Sequence, residues 1–164
     1  EDIETVKIKA LVNEVYDGMK VLFRNKNQEV NIKGNEDVEI QFNKKMLNLV
    51  IGNILSNSMK YTNKGGRIDV DIKRTGIYAE LKFSDNGIGI PENLQDKIFH
   101  EFYRTPISKK QGIEGSGLGL TLVKQILDKF NSKIEIKSPS DLALDKNNPG
   151  TEITISIPLF YMLP

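Results

Sequence analysis

The order of hydrophobic patterns along this chain predicts an α+β domain: a two-layer sandwich in which a mixed, mostly antiparallel sheet is covered on one face by about three helices. Three observations predict it. Strand-like alternations outnumber helical stripes and are joined by short turns rather than crossovers; three stretches carry apolar residues at spacings of three and four; and 164 residues with 38% hydrophobic and 27% charged content suit one core. A single domain over 1–164 is expected. Twenty-three basic residues against twenty-two acidic ones leave a net charge of +1, which gives no strong footprint for nucleic acid or an anionic membrane. The absence of cysteine removes disulfides, thiol nucleophiles and thiolate metal sites. Apolar runs such as Met46 to Ile51, broken by Asn48, are far short of a membrane span, and no signal-peptide pattern opens the chain. A soluble stretch is expected, and its start at Glu1 rather than methionine fits a piece of a longer protein.

Taken in order, Thr5 to Ile8 reads as a short strand, and Lys9 to about Lys26 as an amphipathic helix with Leu11, Val12, Val15, Met19, Leu22 and Phe23 on its stripe. Glu29 to Ile32 and Val38 to Phe42 read as short strands separated by a Gly34-Asn35 turn. Asn43 stands at an N-cap position, and the helix from there to Tyr61 has Leu47, Ile51, Ile54 and Leu55 on one side, with Gly65-Gly66 beyond its end. Ile68, Val70 and Ile72, then Ile77, Ala79, Leu81 and Phe83 after Arg74-Thr75-Gly76, alternate as a hairpin with one buried face. From Gly89 to Gly115 there is little apolar periodicity beyond Ile98, Phe99 and Phe102, and a loop that long in a compact domain reads as a lid. Leu118, Leu122, Val123, Ile126, Leu127 and Phe130 restore a helical stripe; Ile134-Ile136 and Ile153-Ile155-Ile157 close the fold as strands, with an exposed, turn-rich connection over Ser138 to Gly150.

Three segments carry possible chemistry. On the second helix, Asn53, Asn57, Lys60 and Tyr61 share a face opposite Leu47, Ile51 and Leu55. An asparagine carbonyl suits magnesium, and a lysine one turn on can neutralise phosphate, although an ordinary solvated helix face has the same pattern. Asp85, in DNGIGIP, can accept a hydrogen bond from an exocyclic amine, while Gly87 and Gly89 let backbone approach a planar ligand. Asn-Gly is also a hairpin signal, but no alternating strand follows and Pro91 removes a ladder donor. Gly115, Gly117 and Gly119 open the third helix, whose first amides suit phosphate oxygens; a purely structural helix entry is the alternative. The dinucleotide pattern needs a third glycine one place later, and the P-loop needs Gly-Lys-Ser/Thr where this chain has Gly119-Leu120-Thr121. His100 is the sole histidine; HEFYRTPI places it one residue too far from Arg-Thr-Pro for a phosphoacceptor motif, and inside the lid. Phe99 and Phe102 suit lid anchors, and Arg104, Lys109 and Lys110 either reach phosphates or remain solvated.

In this order the segments resemble the catalytic, ATP-binding domain of sensor histidine kinases, within the Bergerat-fold superfamily that also holds gyrase, MutL and the heat-shock chaperone ATPases. The resemblance covers essentially the whole chain. NILSNSMKY (53–61) is similar to the family's N box, DNGIGIP (85–91) to its first glycine box, IFHEFYR (98–104) to its F box, GSGLGL (115–120) to its second glycine box, and Gly150-Thr151 to its late Gly-Thr element.

The resemblance implies that Asp85 binds the adenine amine, with Thr151 close by, and that Asn57 ligates magnesium with support from Asn53. It implies that Lys60 and Arg104 contact phosphate and that Tyr61 packs near the base. Gly87, Gly89, Ile90, Phe99, Tyr103 and Gly115 would border the nucleotide, Gly117, Leu118, Gly119 and Leu120 would hold its phosphates, and a flexible lid would run over about 91–114. It further implies Mg-ATP as ligand and transfer of the γ-phosphoryl to a histidine on a separate dimerisation and acceptor domain. A response-regulator receiver domain would be the downstream partner, in a cytoplasmic setting whose parent protein is free to be membrane-anchored, with no nucleic acid and no direct membrane contact. Relatives that hydrolyse ATP or phosphorylate serine have a glutamate base where this chain has Asn53, and asparagine cannot take that proton. Slow hydrolysis is therefore expected, and no labelling of this chain by itself. A nucleotide-sensing binding module and an anti-sigma-type serine or threonine kinase are the competing readings. Two departures are Asn131-Ser132 where the family often has Gly-Gly, and a Ser138 to Pro149 connection longer than usual, neither expected to touch the pocket.

Overall fold

A hydrophobic alternation has to be covered, and among the described residues three helices cover one face of a sheet. The computed structural model describes residues 2–99 and 119–160. Its elements are β1 (Glu4–Lys7), α1 (Ile8–Asn25), β2 (Glu29–Gly34), β3 (Glu39–Phe42), α2 (Lys44–Tyr61), β4 (Arg67–Thr75) and β5 (Tyr78–Asp85). Short 3-10 turns at Glu92–Leu94 and Lys97–Phe99 follow, then α3 (Gly119–Lys129), β6 (Lys133–Lys137) and β7 (Glu152–Pro158). The main sheet has the order β2-β4-β5-β7-β6, parallel only between β2 and β4.

The strands do not all enter that sheet. β1 and β3 form a separate antiparallel pair, so the strands flanking the Gly34-Asn35 turn part company. Gly34 sits at φ 118 against Ile72, where a side chain has no room, and Asn35 donates its amide to the Ile72 carbonyl at 2.9 Å. The chain thus leaves the sheet edge sharply, and β3 is delivered to the start of α2.

Alternation decides which face is apolar. Ile68, Val70 and Ile72 of β4, Ala79, Leu81 and Phe83 of β5, and Ile153, Ile155 and Ile157 of β7 are buried beneath the helices. They meet Leu47, Val50, Ile51, Ile54 and Leu55 of α2, Leu11, Val12 and Phe23 of α1, and Val123, Ile126 and Leu127 of α3. Phe42 and Phe130 stack with ring centroids 3.9 Å apart, closing the core where β3 meets the end of α3. Three stripe residues fall outside it. Ile77 is 62% exposed because the two-residue hairpin turn is Gly76-Ile77, with Gly76 at φ 59, and β5 begins only at Tyr78. Leu22 and Leu122 sit at the solvent margin of their helices.

Helix ends follow local chemistry. The Asn43 side chain accepts from the Met46 amide at 3.0 Å, a cap that contributes about 1 kcal/mol. Both α1 and α3 finish on an asparagine in the left-handed region, Asn27 at φ 52 and Asn131 at φ 54. The next amides bond back across the turn, Gln28 to the Phe23 carbonyl at 3.0 Å and Ser132 to the Leu127 carbonyl at 2.9 Å. Asn131 therefore supplies the left-handed residue that a glycine would otherwise provide.

The opposite face of the sheet is polar. Asp69 there is bound by Arg67 through two 3.0 Å hydrogen bonds and by Asn31 at 3.1 Å, while Lys82 lies 3.6 Å from Glu152 and Lys73 3.5 Å from Glu80. No helix among the described residues is long and apolar enough to cross a membrane.

Candidate functional site

The alternation that buries Ala79, Leu81 and Phe83 carries the next residue on that face, Asp85, to the edge of the core. Its Oδ1 accepts from the amide of Gly87 at 2.9 Å and from that of Thr151 at 3.1 Å. Its Oδ2 has no partner among the described residues and is the open acceptor of the site. Burial pushes the carboxyl up to about 6, with the two amides pulling the other way. At neutral pH the group is mainly an ionised, desolvated acceptor, suited to a ligand N–H.

The turn after Asp85 is fixed by protein packing. A Cβ on Gly87 would fall on the Tyr61 carbonyl oxygen, and the Ile88 amide donates to that same oxygen at 3.1 Å. Gly89, at φ 70, leaves no space for a side chain beside Pro149 and Ser138. Asn86 turns inward, its Oδ1 accepting from the Arg67 amide at 2.9 Å. The glycines of this turn are thus required by contact with α2 and the β6–β7 connection. Gly150 completes the set: at φ 74 its Cβ would strike the Asp85 carbonyl, and its amide donates to the Gly87 carbonyl at 3.0 Å. Thr151 follows in register beside Asp85, taking the Asp85 amide on its carbonyl at 2.9 Å.

The second wall is α2. Asn53, Asn57, Lys60 and Tyr61 are half-buried along one face. Asn53 donates to the Leu49 carbonyl at 2.7 Å, and its Oδ1 would be 3.0 Å from a Cβ on Gly119, so the first residue of α3 closes directly on it. Asn57 has no hydrogen-bond partner among the described residues and keeps its amide oxygen for a ligand. Among those residues no cluster of three or more His, Asp or Glu forms a metal site. A hard cation here would have to rely on Asn57, its own water and phosphate oxygens, the coordination that magnesium accepts.

Two side chains outside the expected set hold the end of α2. Lys26 Nζ donates to the carbonyls of Met59 at 2.7 Å and Thr62 at 2.9 Å, and Gln28 Nε2 to the same two at 3.0 and 2.7 Å. Burial lowers the Lys26 pKa. These donors satisfy carbonyls that a helix end leaves free, and they steady the turn carrying Lys60 and Tyr61. The side-chain donors follow α1 by one and three residues, a proximity that only the tertiary fold reveals.

The β6–β7 connection also reaches the site, contrary to the expectation that it would lie exposed and clear of it. Its outer residues are exposed, but Ser140 is buried and its hydroxyl donates to the Asp85 carbonyl at 2.6 Å. Ser138 donates to the Gly150 carbonyl at 2.6 Å and accepts from the Ile90 amide at 3.2 Å. The physical reason is the close approach allowed by Gly89 and Gly150, which brings small hydroxyls onto backbone that would otherwise be buried unpaired.

Beyond Ile90, the two short 3-10 turns bring Ile98 into a buried position, and the Phe99 carbonyl accepts from Thr121 Oγ1 of α3 at 2.9 Å. Leu120, like Gly119, lies in the first turn of α3. The expectations for His100, Phe102, Tyr103, Arg104, Lys109, Lys110, Gly115, Gly117, Leu118 and most of the lid fall outside the described residues.

The family model described as histidine kinase-, DNA gyrase B-, and HSP90-like ATPase matches residues 42–160. The sensor histidine kinase Hik2 of Synechocystis is 34% identical over 125 residues, 73% of this chain and 29% of that protein. Among solved structures, the mycobacterial sensor histidine kinase MprB matches with a TM-score of 0.82 at 26% identity, covering 98% of this chain and 100% of that one. The catalytic domain of histidine kinase ThkA matches with a TM-score of 0.82 at 23% identity, covering 98% and 97%. ThkA has also been solved in complex with response regulator protein TrrA, where the likeness covers 42% of the ThkA chain. This chain thus spans under a third of the Hik2 sequence and essentially the whole of the isolated ThkA domain. With an acceptor at Asp85, a half-buried asparagine face on α2 and the fold of these domains, the chain belongs to the histidine kinase-, DNA gyrase B-, and HSP90-like ATPase family, as a catalytic ATP-binding domain of the sensor-histidine-kinase type.

Proposed function

We propose that this domain binds Mg-ATP and donates the γ-phosphoryl group to a histidine on a separate dimerisation and acceptor domain. The observation that carries it is the buried Asp85, whose Oδ2 has no partner among the described residues and lies beside a glycine turn fixed from both sides. That oxygen accepts the exocyclic amine of adenine. Asn57 holds magnesium and Lys60 meets phosphate, a reading supported by their half-buried position on one face of α2. Tyr61 lies at the base end of the helix, and Gly119 and Leu120 offer first-turn amides to phosphate oxygens. Magnesium supplies charge neutralisation when bound; the chain's residues orient the nucleotide. In the transfer an imidazole nitrogen forms a bond to Pγ while the bond from Pγ to the β,γ-bridging oxygen breaks, and ADP leaves with that electron pair.

Asn53 favours this reaction over hydrolysis, because an amide bonded to the Leu49 carbonyl cannot take a proton from water. The reading implies a cytoplasmic setting and a response-regulator receiver as the next acceptor, a partner of the kind solved with ThkA. Incubating the chain with labelled ATP and a separate acceptor domain tests it. Acid-labile label on the acceptor histidine is expected, with none on the chain alone; acid-stable label, labelled His100, or ATP turnover like that of a dedicated ATPase overturns it.

A further inference from the structure

Ser140 belongs to a connection that the reaction above does not use, yet it meets the backbone of the base-reading residue. Its hydroxyl accepts from the Leu142 amide at 3.1 Å, which leaves its single proton for the Asp85 carbonyl at 2.6 Å. Its own amide donates to the Pro149 carbonyl at 2.9 Å, so the loop is folded back on itself around the hydroxyl. Ser138 makes the parallel contact at the other end of the turn, between Gly150 and Ile90. Asn148 ties the same loop to the segment after α2 through Asn63 Nδ2 at 2.7 Å.

We propose that Ser140 is a positioning residue for Asp85, through which the β6–β7 connection sets the selectivity of the site for adenine over guanine. The inference rests on the nucleotide reading above. Asp85 Oδ1 is fixed by two amides and its peptide by Ser140, so the direction of Oδ2 is determined before a ligand arrives. Guanine presents a carbonyl where adenine presents an amine, and a rigid acceptor rejects it more sharply than a mobile one. Asn57, Lys60, Gly119 and Leu120, read above as meeting metal or phosphate, sit on α2 and α3, and Ser140 makes no hydrogen bond to either helix among the described residues. Loss of its hydroxyl should therefore fall on base recognition.

Calorimetric titration of the chain with ADP and with GDP, in magnesium, tests this for wild type, Ser140→Ala, Ser140→Thr and Asp85→Asn. Ser140→Ala should weaken ADP about tenfold and GDP by no more than about twofold, the scale of one lost hydrogen bond to a buried carbonyl. Ser140→Thr should restore the preference. Unchanged ADP binding, or equal losses for both nucleotides, overturns the proposal. If Ser140→Ala does not fold, Ser140→Cys, with a weaker donor on the same stem, decides between those results. A wild type without preference for ADP refutes the nucleotide reading. A preference abolished by Asp85→Asn but kept by Ser140→Ala refutes the positioning role alone.

Discussion

Asp69 and Asp85 are both buried carboxylates on neighbouring antiparallel strands, yet they titrate in opposite directions. In the β4–β5 register Asp69 lies opposite Ser84 and Asp85 opposite Ile68, so one points to the open polar face and the other to the helix-covered side. Burial acts to raise Asp69, but hydrogen bonds from Arg67 and Asn31, with the charges of Arg67 and Lys33, outweigh it and hold the group below the usual carboxylate range. Asp85 has two backbone amides on one oxygen and no cation among the described residues, and burial wins. The first carboxylate is paired and serves the fold. The second is left half-satisfied at a cost to the fold, which is the expected condition of a group reserved for a ligand.

The largest test of this contrast is Asp85→Asn. It should weaken ADP at least about a hundredfold at pH 7, since an amide can turn a donor towards the adenine amine. The same substitution should stabilise the unliganded domain, by up to about 3 kcal/mol, because it removes a desolvated charge. Normal ADP affinity in this variant would remove Asp85 from the site.

The pH dependence comes next and splits the two groups by sign. With its carboxyl raised to about 6, folded Asp85 holds a proton that the unfolded chain releases above about pH 4. That stability is full below the unfolded value and is lost as pH rises through 6. Denaturant titration of the unliganded wild type should show this gain on acidification from pH 7 to 5 while ADP affinity falls, and Asp85→Asn should lose both trends. Asp69 acts the other way: its contribution is present above the unfolded value near pH 4 and is lost as pH falls through its lower folded value. Asp69→Ala should cost about 1–2 kcal/mol at pH 7, with ADP affinity changed by no more than about twofold. If it weakens ADP as much as Asp85→Asn does, the division between the two carboxylates fails.

The smallest expected effect on stability is that of Asn57→Ala, within about 0.5 kcal/mol, because that side chain bonds to none of the described residues. Calorimetry should instead show that ATP affinity no longer depends on magnesium. Retained dependence would place the metal ligand elsewhere.

Much of this was legible in the residues. The period of two in β5 marks the face on which Asp85 lies, and the period of three and four in α2 separates Asn53 and Asn57 from Leu47, Ile51 and Leu55. Lys26 and Gln28 could not be found that way, because the carbonyls they hold are more than thirty residues distant and carry no side-chain signature. Ser138 and Ser140 were hidden for a related reason: in a polar, turn-rich segment, a hydroxyl that meets buried backbone looks like one that meets water.

Sequence alone determined the elements, the helix-covered face of the sheet and the residue types of the candidate site, since local period and turn chemistry act within a few residues. Tertiary structure alone decided that β1 and β3 leave the main sheet, that the glycine turn abuts Tyr61, and that the β6–β7 connection backs Asp85. Those outcomes depend on contacts between distant backbone groups, whose hydrogen-bonding capacity is nearly the same whatever side chains they carry.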